Sequence, residues 1–419
     1  MVLEASTSQP APEELPGTMG PPGAVGPVSA RSRSAATETA RLEALIASAG
    51  TFEAADSDAA VFTFGNPHEL PLRGLVDALR DAAEPRTVDW FAYKASDERP
   101  RTFLTQSLSG ELDLPFEPED VALTAGAFAA IALAFHLLTD PGDEVVIPKP
   151  GWFLYAPMLR LAGVTPVEAS LDTTTWDLDL AAIDAAITDR TRIVVVNSPH
   201  NPTGRVYGAE TWAALAELLE GASARIGRRV FLLSDEPYRR IRFDQRAFVS
   251  PAAHYPWTLI DYSYGKVTLA PGQRLGYLAT SPLMPLADRE ALRAATFPTQ
   301  ASLGWTFPEA VMQHAVPALE RVTIDVAELE AKRDLLVGAL GGWGYDVLRP
   351  EGTFYLWGAA PGGDAVAFAD WLRRRSVHVM PGTMFGMPGH VRLCLTATQN
   401  MIDKALPVFE EAAGVPWLA

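Results

Sequence analysis

Short apolar, β-branched runs recur through the middle of the chain, at 121–124, 144–148, 164–168, 192–197, 229–234 and 257–262. Stretches of helical period lie between them at about 127–138, 153–162, 179–186 and 209–220. Runs such as Arg192-Ile-Val-Val-Val196 are apolar at consecutive positions, as expected of strands covered on both faces. Their alternation with helices predicts an α/β fold, a mostly parallel central sheet covered by helices. Past about residue 305 the pattern changes. One helix is predicted over 319–340, then short strands at 353–357, 377–380 and 391–395 with helices at 364–375 and 399–412, a smaller α+β unit. The start of the chain is different again. Residues 1–55 are rich in Ser, Thr, Ala, Pro and Gly and predict a flexible arm, with a possible short helix starting near Ala35.

Composition narrows the classes. At 419 residues the chain suits two domains, and its net charge of −17 argues against a nucleic-acid partner. A single cysteine, Cys394, excludes an internal disulfide, and its strand context marks it as a small buried hydrophobe. The seven histidines are scattered, so no metal site is expected. The stretch from Ala125 to Leu138 is too short to span a bilayer and contains His136; no membrane segment is expected. The first residues lack the basic start and apolar core of a secretory signal, and a cytoplasmic location is expected.

Lysine is scarce, and this singles out one position. The chain has five: Lys94, Lys149, Lys266, Lys332 and Lys404. Lys94 and Lys149 sit in loop-like contexts, and Lys332 and Lys404 fall on polar faces of predicted helices. Lys266 alone follows an apolar strand run (Trp257–Tyr262), with Ser263 three residues before it and Arg274 eight after. A lysine with a carbonyl held nearby is a covalent catalyst, and Arg with Ser on one loop suits a phosphate. Together these describe an aldehyde-bearing phosphorylated cofactor, pyridoxal phosphate; a surface lysine after a strand is the alternative. Asn197-Ser-Pro-His-Asn201-Pro-Thr-Gly204 turns the chain out at the carboxyl end of a buried strand, where ligands of such sheets bind. Another buried strand ends in Asp235, with Tyr238 three residues on. An acid there can pair with a protonated pyridine nitrogen, or it can simply cap a helix. Arg392, in the alternating run Val391–Leu395, suits a substrate α-carboxylate, or is a solvated edge-strand residue.

In their order along the chain, Gly126-Ala127, Trp152, Asn201-Pro-Thr-Gly, Asp235-x-x-Tyr238, Ser263-x-x-Lys266, Arg274 and Arg392 resemble a class I/II aminotransferase, of the fold-type I pyridoxal-phosphate enzymes. The resemblance runs from about Val61 to about Leu406. It implies that Lys266 forms the internal aldimine and shuttles the proton, and that Asp235 pairs with the ring nitrogen. It gives Asn201 and Tyr238 to the 3-oxygen, Ser263 and Arg274 to the phosphate, Trp152 to the ring face, and Arg392 with Gly65 and Asn201 to the substrate. Backbone N–H groups of Gly126, Ala127 and Phe128 would cradle the phosphate at a helix start. Tyr93 resembles the tyrosine that family homodimers donate to the partner's phosphate. Gly265 departs from the small hydroxyl residue common before the lysine. The implied division is an arm at 1–55, the N-terminal part of the small domain at 56–84, the large cofactor domain at 85–305 and the rest of the small domain at 306–419.

An aminotransferase moving an amino group from an L-amino acid to a 2-oxo acid is the main expectation. A lyase or synthase on the same scaffold, working by β- or γ-elimination or replacement, needs the same lysine, aspartate and arginine. A ligand-sensing regulator of this fold would carry a basic DNA-binding module in front, and this chain's start is not strongly basic. Phe128, Trp152 and Tyr155 hint at an aromatic-tolerant pocket.

Overall fold

A computed structural model describes residues 27–49 and 58–417. A helix at Ala30–Ala49 packs on the helix Tyr155–Ala162, tied by an Arg160–Glu38 ion pair at 2.6 Å. It starts earlier and runs longer than the short helix expected in the arm. Residues 1–26 of that arm lie outside the described residues.

The strands, in chain order, are β1 (Ala60–Val61), β2 (Val121–Thr124), β3 (Glu144–Lys149), β4 (Thr165–Ser170), β5 (Thr191–Asn197), β6 (Phe231–Asp235), β7 (Thr258–Ser263), β8 (Gly276–Thr280), β9 (Tyr355–Ala359), β10 (Val377–His378), β11 (Met380–Pro381) and β12 (His390–Cys394). Seven of them form the large sheet, in the order β2-β8-β7-β6-β5-β3-β4. The pairs from β4 through β3, β5 and β6 to β7 are parallel, and β8 is antiparallel to both its neighbours. The expected mostly parallel α/β sheet is therefore present, with one antiparallel strand that the hydrophobic pattern did not predict. Helices cover both faces. Ala127–Leu138, apolar all round, packs its buried side chains with Val145, Ile193 and Leu233. On the other face Trp212, Leu215 and Leu219 of the helix Ala209–Ile226 meet Val194, Val196 and Leu232. Buried leucine and tryptophan side chains of this kind contribute roughly 2–3 kcal/mol each to folding.

A small sheet, β11-β12-β9, is antiparallel, with β12 in the middle. β1 pairs in parallel with β10, so the residues around Ala60 and Phe62 share a core with Phe354, Leu393 and Phe409. The helix Arg73–Ala83, assigned to the small unit by the sequence, instead buries Leu75, Ala78 and Ala82 with Tyr262 and Tyr277 of the large sheet.

The helix expected over 319–340 starts later, as Val326–Gly342, and a separate helix that the sequence reading did not predict, Ala310–Leu319, precedes it. Asp325 starts the second by accepting from the amides of Ala327 and Glu328 at 2.9 and 3.2 Å. Glu320, just past the first, is drawn away to Arg240 (2.6 Å) and the hydroxyls of Ser107 (2.5 Å) and Tyr264. Among the described residues no helix is long and apolar enough to cross a membrane, and no His, Cys, Asp and Glu cluster could hold a metal ion. Cys394 is buried, and burial pushes its thiol pKa up.

Candidate active site

β5, β6 and β7 all end at one edge of the large sheet, and a cavity of about 340 Å³ opens there. Ser263 closes β7. Its Oγ accepts from the Gly265 amide at 3.3 Å and so caps the short helix Tyr264–Val267 that carries Lys266. The other four lysines are ion-paired: Lys94 with Asp89 and Asp97, Lys149 with Glu168, Lys332 with Glu328 and Lys404 with Asp58. Lys332 is not the solvated residue its helix position suggested; it is buried, with its ammonium 2.6 Å from Glu328. Lys266 makes no ion pair among the described residues. Its Nζ lies 5.7 Å from the Tyr238 ring centre and 5.8 Å from that of Phe354.

Asp235 ends β6 and is buried. The Tyr155 hydroxyl donates to its Oδ2, while Oδ1 has no hydrogen-bond partner among the described residues. Burial pushes the Asp235 pKa up; the Tyr155 hydrogen bond and the Lys266 charge oppose that rise. Asn197, at the end of β5, joins two of the motifs. Its amide donates to the Asp235 carbonyl at 2.8 Å and its Oδ1 accepts from the Asn201 amide at 2.7 Å. Asn201 Oδ1 in turn accepts from Arg392 Nη1 at 2.9 Å. Arg392 also donates from Nη2 to the Thr63 carbonyl at 2.8 Å, lies 3.9 Å over the Tyr355 ring, and keeps Nε without a partner among the described residues. It sits on the middle strand of the small sheet and is 2% exposed, so it is no solvated edge residue.

At the other end of the cavity, Gly126 precedes the helix Ala127–Leu138 with φ +80°. A Cβ added there would stand 2.7 Å from Arg274 Nη2. Arg274 is fixed by Nη1 donating to the Pro271 carbonyl at 2.7 Å, and partial burial lowers its pKa. Phe128 meets Trp152 edge-on, ring centres 4.7 Å apart.

Lys266, Asp235, Tyr238, Asn201, Ser263, Arg274, Arg392, Trp152, Ala127, Phe128 and Gly65 all line the one cavity, and Gly126 backs onto it through Arg274. Tyr93 does not reach it within the chain. It is 87% exposed, with its ring 4.9 Å from Phe307. The Tyr238 hydroxyl donates to Tyr355 Oη at 3.3 Å. Sequence reasoning missed Asn197, Tyr355, Thr63, Leu42 and Asp261, and it read Tyr155 as a pocket wall where the structure gives it to Asp235. Asp261 had a signal: it is the one charged residue in the apolar run Trp257–Tyr262.

The residues present fit pyridoxal 5′-phosphate. Asp235 Oδ1 is a buried acceptor with nothing to accept, as a protonated ring nitrogen requires. Arg274 and a helix start that tolerates no side chain at Gly126 suit the phosphate. Lys266 is the amine free to meet an aldehyde.

Comparison with known proteins gives the same direction. The family model described as aminotransferase class I and II matches residues 58–409. The aspartate/prephenate aminotransferase of Thermus thermophilus is 33% identical over 370 residues, covering 85% of this chain and 91% of its own length. A probable aspartate aminotransferase of Methanocaldococcus jannaschii is 27% identical over 374 residues, 86% of this chain and 95% of its own. Among solved structures, an aminotransferase from Eubacterium rectale superposes with a TM-score of 0.80 at 28% identity, over 92% of this chain and 96% of its own.

Proposed function

The chain belongs to the class I and II aminotransferases, and from that premise we propose that it moves an amino group from an L-amino acid to a 2-oxo acid at the cavity around Lys266. It is a pyridoxal-phosphate-dependent enzyme, as its family is. When bound, the cofactor supplies an electron sink for the negative charge left by loss of the substrate's α-proton. The residues of the chain do the rest. Lys266 Nζ, free of any ion pair among the described residues, would hold the cofactor through its aldehyde and, once the amino donor displaces it, would take the proton from the donor's α-carbon and deliver it to the carbon of the former aldehyde. Asp235 Oδ1 would accept the ring N–H, while Tyr155 holds the other oxygen. Arg392, oriented by Asn201 and the Thr63 carbonyl, binds the α-carboxylate. Ser263, Arg274 and the amides after Gly126 would hold the phosphate, Trp152 would cover the ring face, and Tyr238 and Asn201 would serve the 3-oxygen.

The observation that carries this reading is the convergence of Lys266, the orphaned Asp235 oxygen and Arg392 on one cavity. Leu42, Phe64, Ile131 and Phe153 also line it and support amino donors with an apolar side chain. Several relatives are named for aspartate. The test is a panel of L-amino acids with a 2-oxo acid acceptor, read by mass spectrometry of both products, alongside borohydride reduction and peptide mapping. Transamination with the label on Lys266 is expected. No product from any donor, or a label on another lysine, would overturn the reading.

The same proposal includes a cytoplasmic homodimer with sites at the subunit boundary. Tyr93, Phe91 and Val88 are exposed on a short stretch, with Phe307 against Tyr93. A two-fold axis would carry this stretch to the partner's phosphate end. The division belongs to it as well: an arm at 1–55, a large domain at 85–305, and a small domain from 56–84 and 306–419 save the helices Arg73–Ala83 and Ala310–Leu319, whose buried faces share a core with the large sheet.

A further inference from the structure

Asp235 and Asp261 are register partners on the adjacent parallel strands β6 and β7, so their side chains leave the sheet on one face, next to each other. Both are buried. Neither oxygen of Asp261 meets a donor other than the neighbouring acid among the described residues. We propose that Asp261 is a positioning residue: its carboxyl keeps a proton and donates it to Asp235, so that Asp235 remains the anion and keeps one oxygen for the cofactor's ring N–H.

Two carboxyls side by side in a dry interior cannot both ionise, so the pair retains one proton. What surrounds each acid decides which one holds it. Asp235 takes the Tyr155 hydroxyl on Oδ2 and feels the positive charge of Lys266. The charged groups that act on Asp261 are the acids Asp235 and Glu236, and the Tyr155 hydroxyl near it is already given to Asp235. Burial, the Asp235 charge and the hydrogen bond from Asp261 to Asp235 all push the Asp261 pKa up. Asp235 as the anion with Asp261 as the donor is therefore the low-energy arrangement. Its effect is specific. A carboxylate that already accepts from Tyr155 and Asp261 is a weaker base, so it leaves the proton on the ring nitrogen. Without the donor Asp235 becomes more basic and competes for that proton.

The inference rests on the role proposed above for Asp235, and the test separates the two. Infrared difference spectra of the cofactor-free protein at neutral pH, with parent and variant both carrying Glu236→Gln to remove the other buried acid that holds a proton near pH 7, report a protonated carboxylic acid directly, without activity. The band is expected in the parent and absent in Asp261→Asn. In the loaded enzyme, the amide of Asp261→Asn still donates to Asp235, so this variant should retain most of kcat and the parent's pH titration of the cofactor's visible band. Asp261→Val cannot donate. It should lose roughly tenfold or more in kcat, with little change in KM, and shift that titration. The groups close enough to enter the profile are Asp235, Glu236, Tyr155, Tyr238 and Lys266. No protonated-acid band in the parent, a band that persists in Asp261→Asn, or an Asp261→Val enzyme indistinguishable from the parent would each overturn the proposal. Should the parent transaminate nothing, the functional reading fails, and the infrared band still decides where the proton sits.

Discussion

Gly126→Ala separates backbone strain from cofactor binding at a single atom. Gly126 has φ +80° and ψ 178°, a combination that residues with a Cβ scarcely populate. Forcing alanine into it costs about 1–3 kcal/mol, and that cost falls on the fold whether or not the cofactor is bound. The added methyl would also stand 2.7 Å from Arg274 Nη2 and 3.0 Å from its Cζ. Arg274 cannot retreat freely, because Nη1 is held on the Pro271 carbonyl. The guanidinium must turn away from the phosphate, and one hydrogen bond to a charged group is worth about 1.5–3 kcal/mol. That converts to roughly tenfold to a hundredfold weaker binding of pyridoxal phosphate. Equilibrium titration of the cofactor-free protein, followed by the absorbance of the bound cofactor, measures the second effect. Urea unfolding of the cofactor-free protein measures the first. Gly272→Ala, in the same loop, has no atom within 4 Å of its added methyl and should change neither. If Gly126→Ala binds the cofactor within twofold of the parent, the contact between this turn and Arg274 does not serve the phosphate.

Arg392→Ala should cost about 2–5 kcal/mol in kcat/KM for amino acids while cofactor affinity holds, because a dry bidentate carboxylate contact is lost. Amines without a carboxylate should be indifferent to it, and loss of the cofactor instead would refute the assignment. Two buried groups give a pH test. Burial lowers His200 to about 3, so the fold rejects its charged form and loses stability as pH falls from 6.5 toward 3. Burial raises Glu236 to about 7, so its contribution is lost as pH rises from 4.5 to 7. The two oppose each other between pH 5 and 6.5, about 2 kcal/mol each over that window. Relative to the parent, in which the protonated Asp261 contributes equally, the urea midpoint of Glu236→Gln should gain as pH rises and that of His200→Gln should lose; differences of one sign in both would contradict the burial argument. For the subunit boundary, inactive Lys266→Ala mixed with an impaired Tyr93→Phe protein should recover activity, since the mixed dimer gathers both defects in one site. No recovery despite proven subunit exchange and a clear Tyr93→Phe defect would remove the shared site.

The sequence showed the parallel strands well because each is a run of β-branched residues between turn signals. It missed β8, whose Gly276-Tyr-Leu-Ala-Thr280 has neither a uniform run nor an alternation. The helix start was placed too early, at Leu319, because the helical spacing of Leu319, Val322, Val326 and Leu329 runs across the gap before Asp325; in the fold Glu320 there meets Arg240, Ser107 and Tyr264, partners that come from other elements. The site divides in the same way. Lys266, Asp235, Asn201 and Arg392 stand at strand ends or inside recognisable spacings, where chemistry can be read from one segment. Tyr155, Thr63 and Asp261 act across segments. Tyr155 finds Asp235 from a helix 80 positions earlier in the chain, and Thr63 offers only a carbonyl, which every residue has. Asp261 was visible as a lone acid in an apolar strand, but its meaning lies in the register that sets it against Asp235. Register is fixed by how two strands pair in the folded sheet and leaves no mark in either strand alone. An unexplained buried charge in a predicted central strand is thus a reason to ask which residue lies opposite it. Here the answer is Asp235, the acid proposed to pair with the cofactor's ring, and this makes the proton between the two the most informative one to locate.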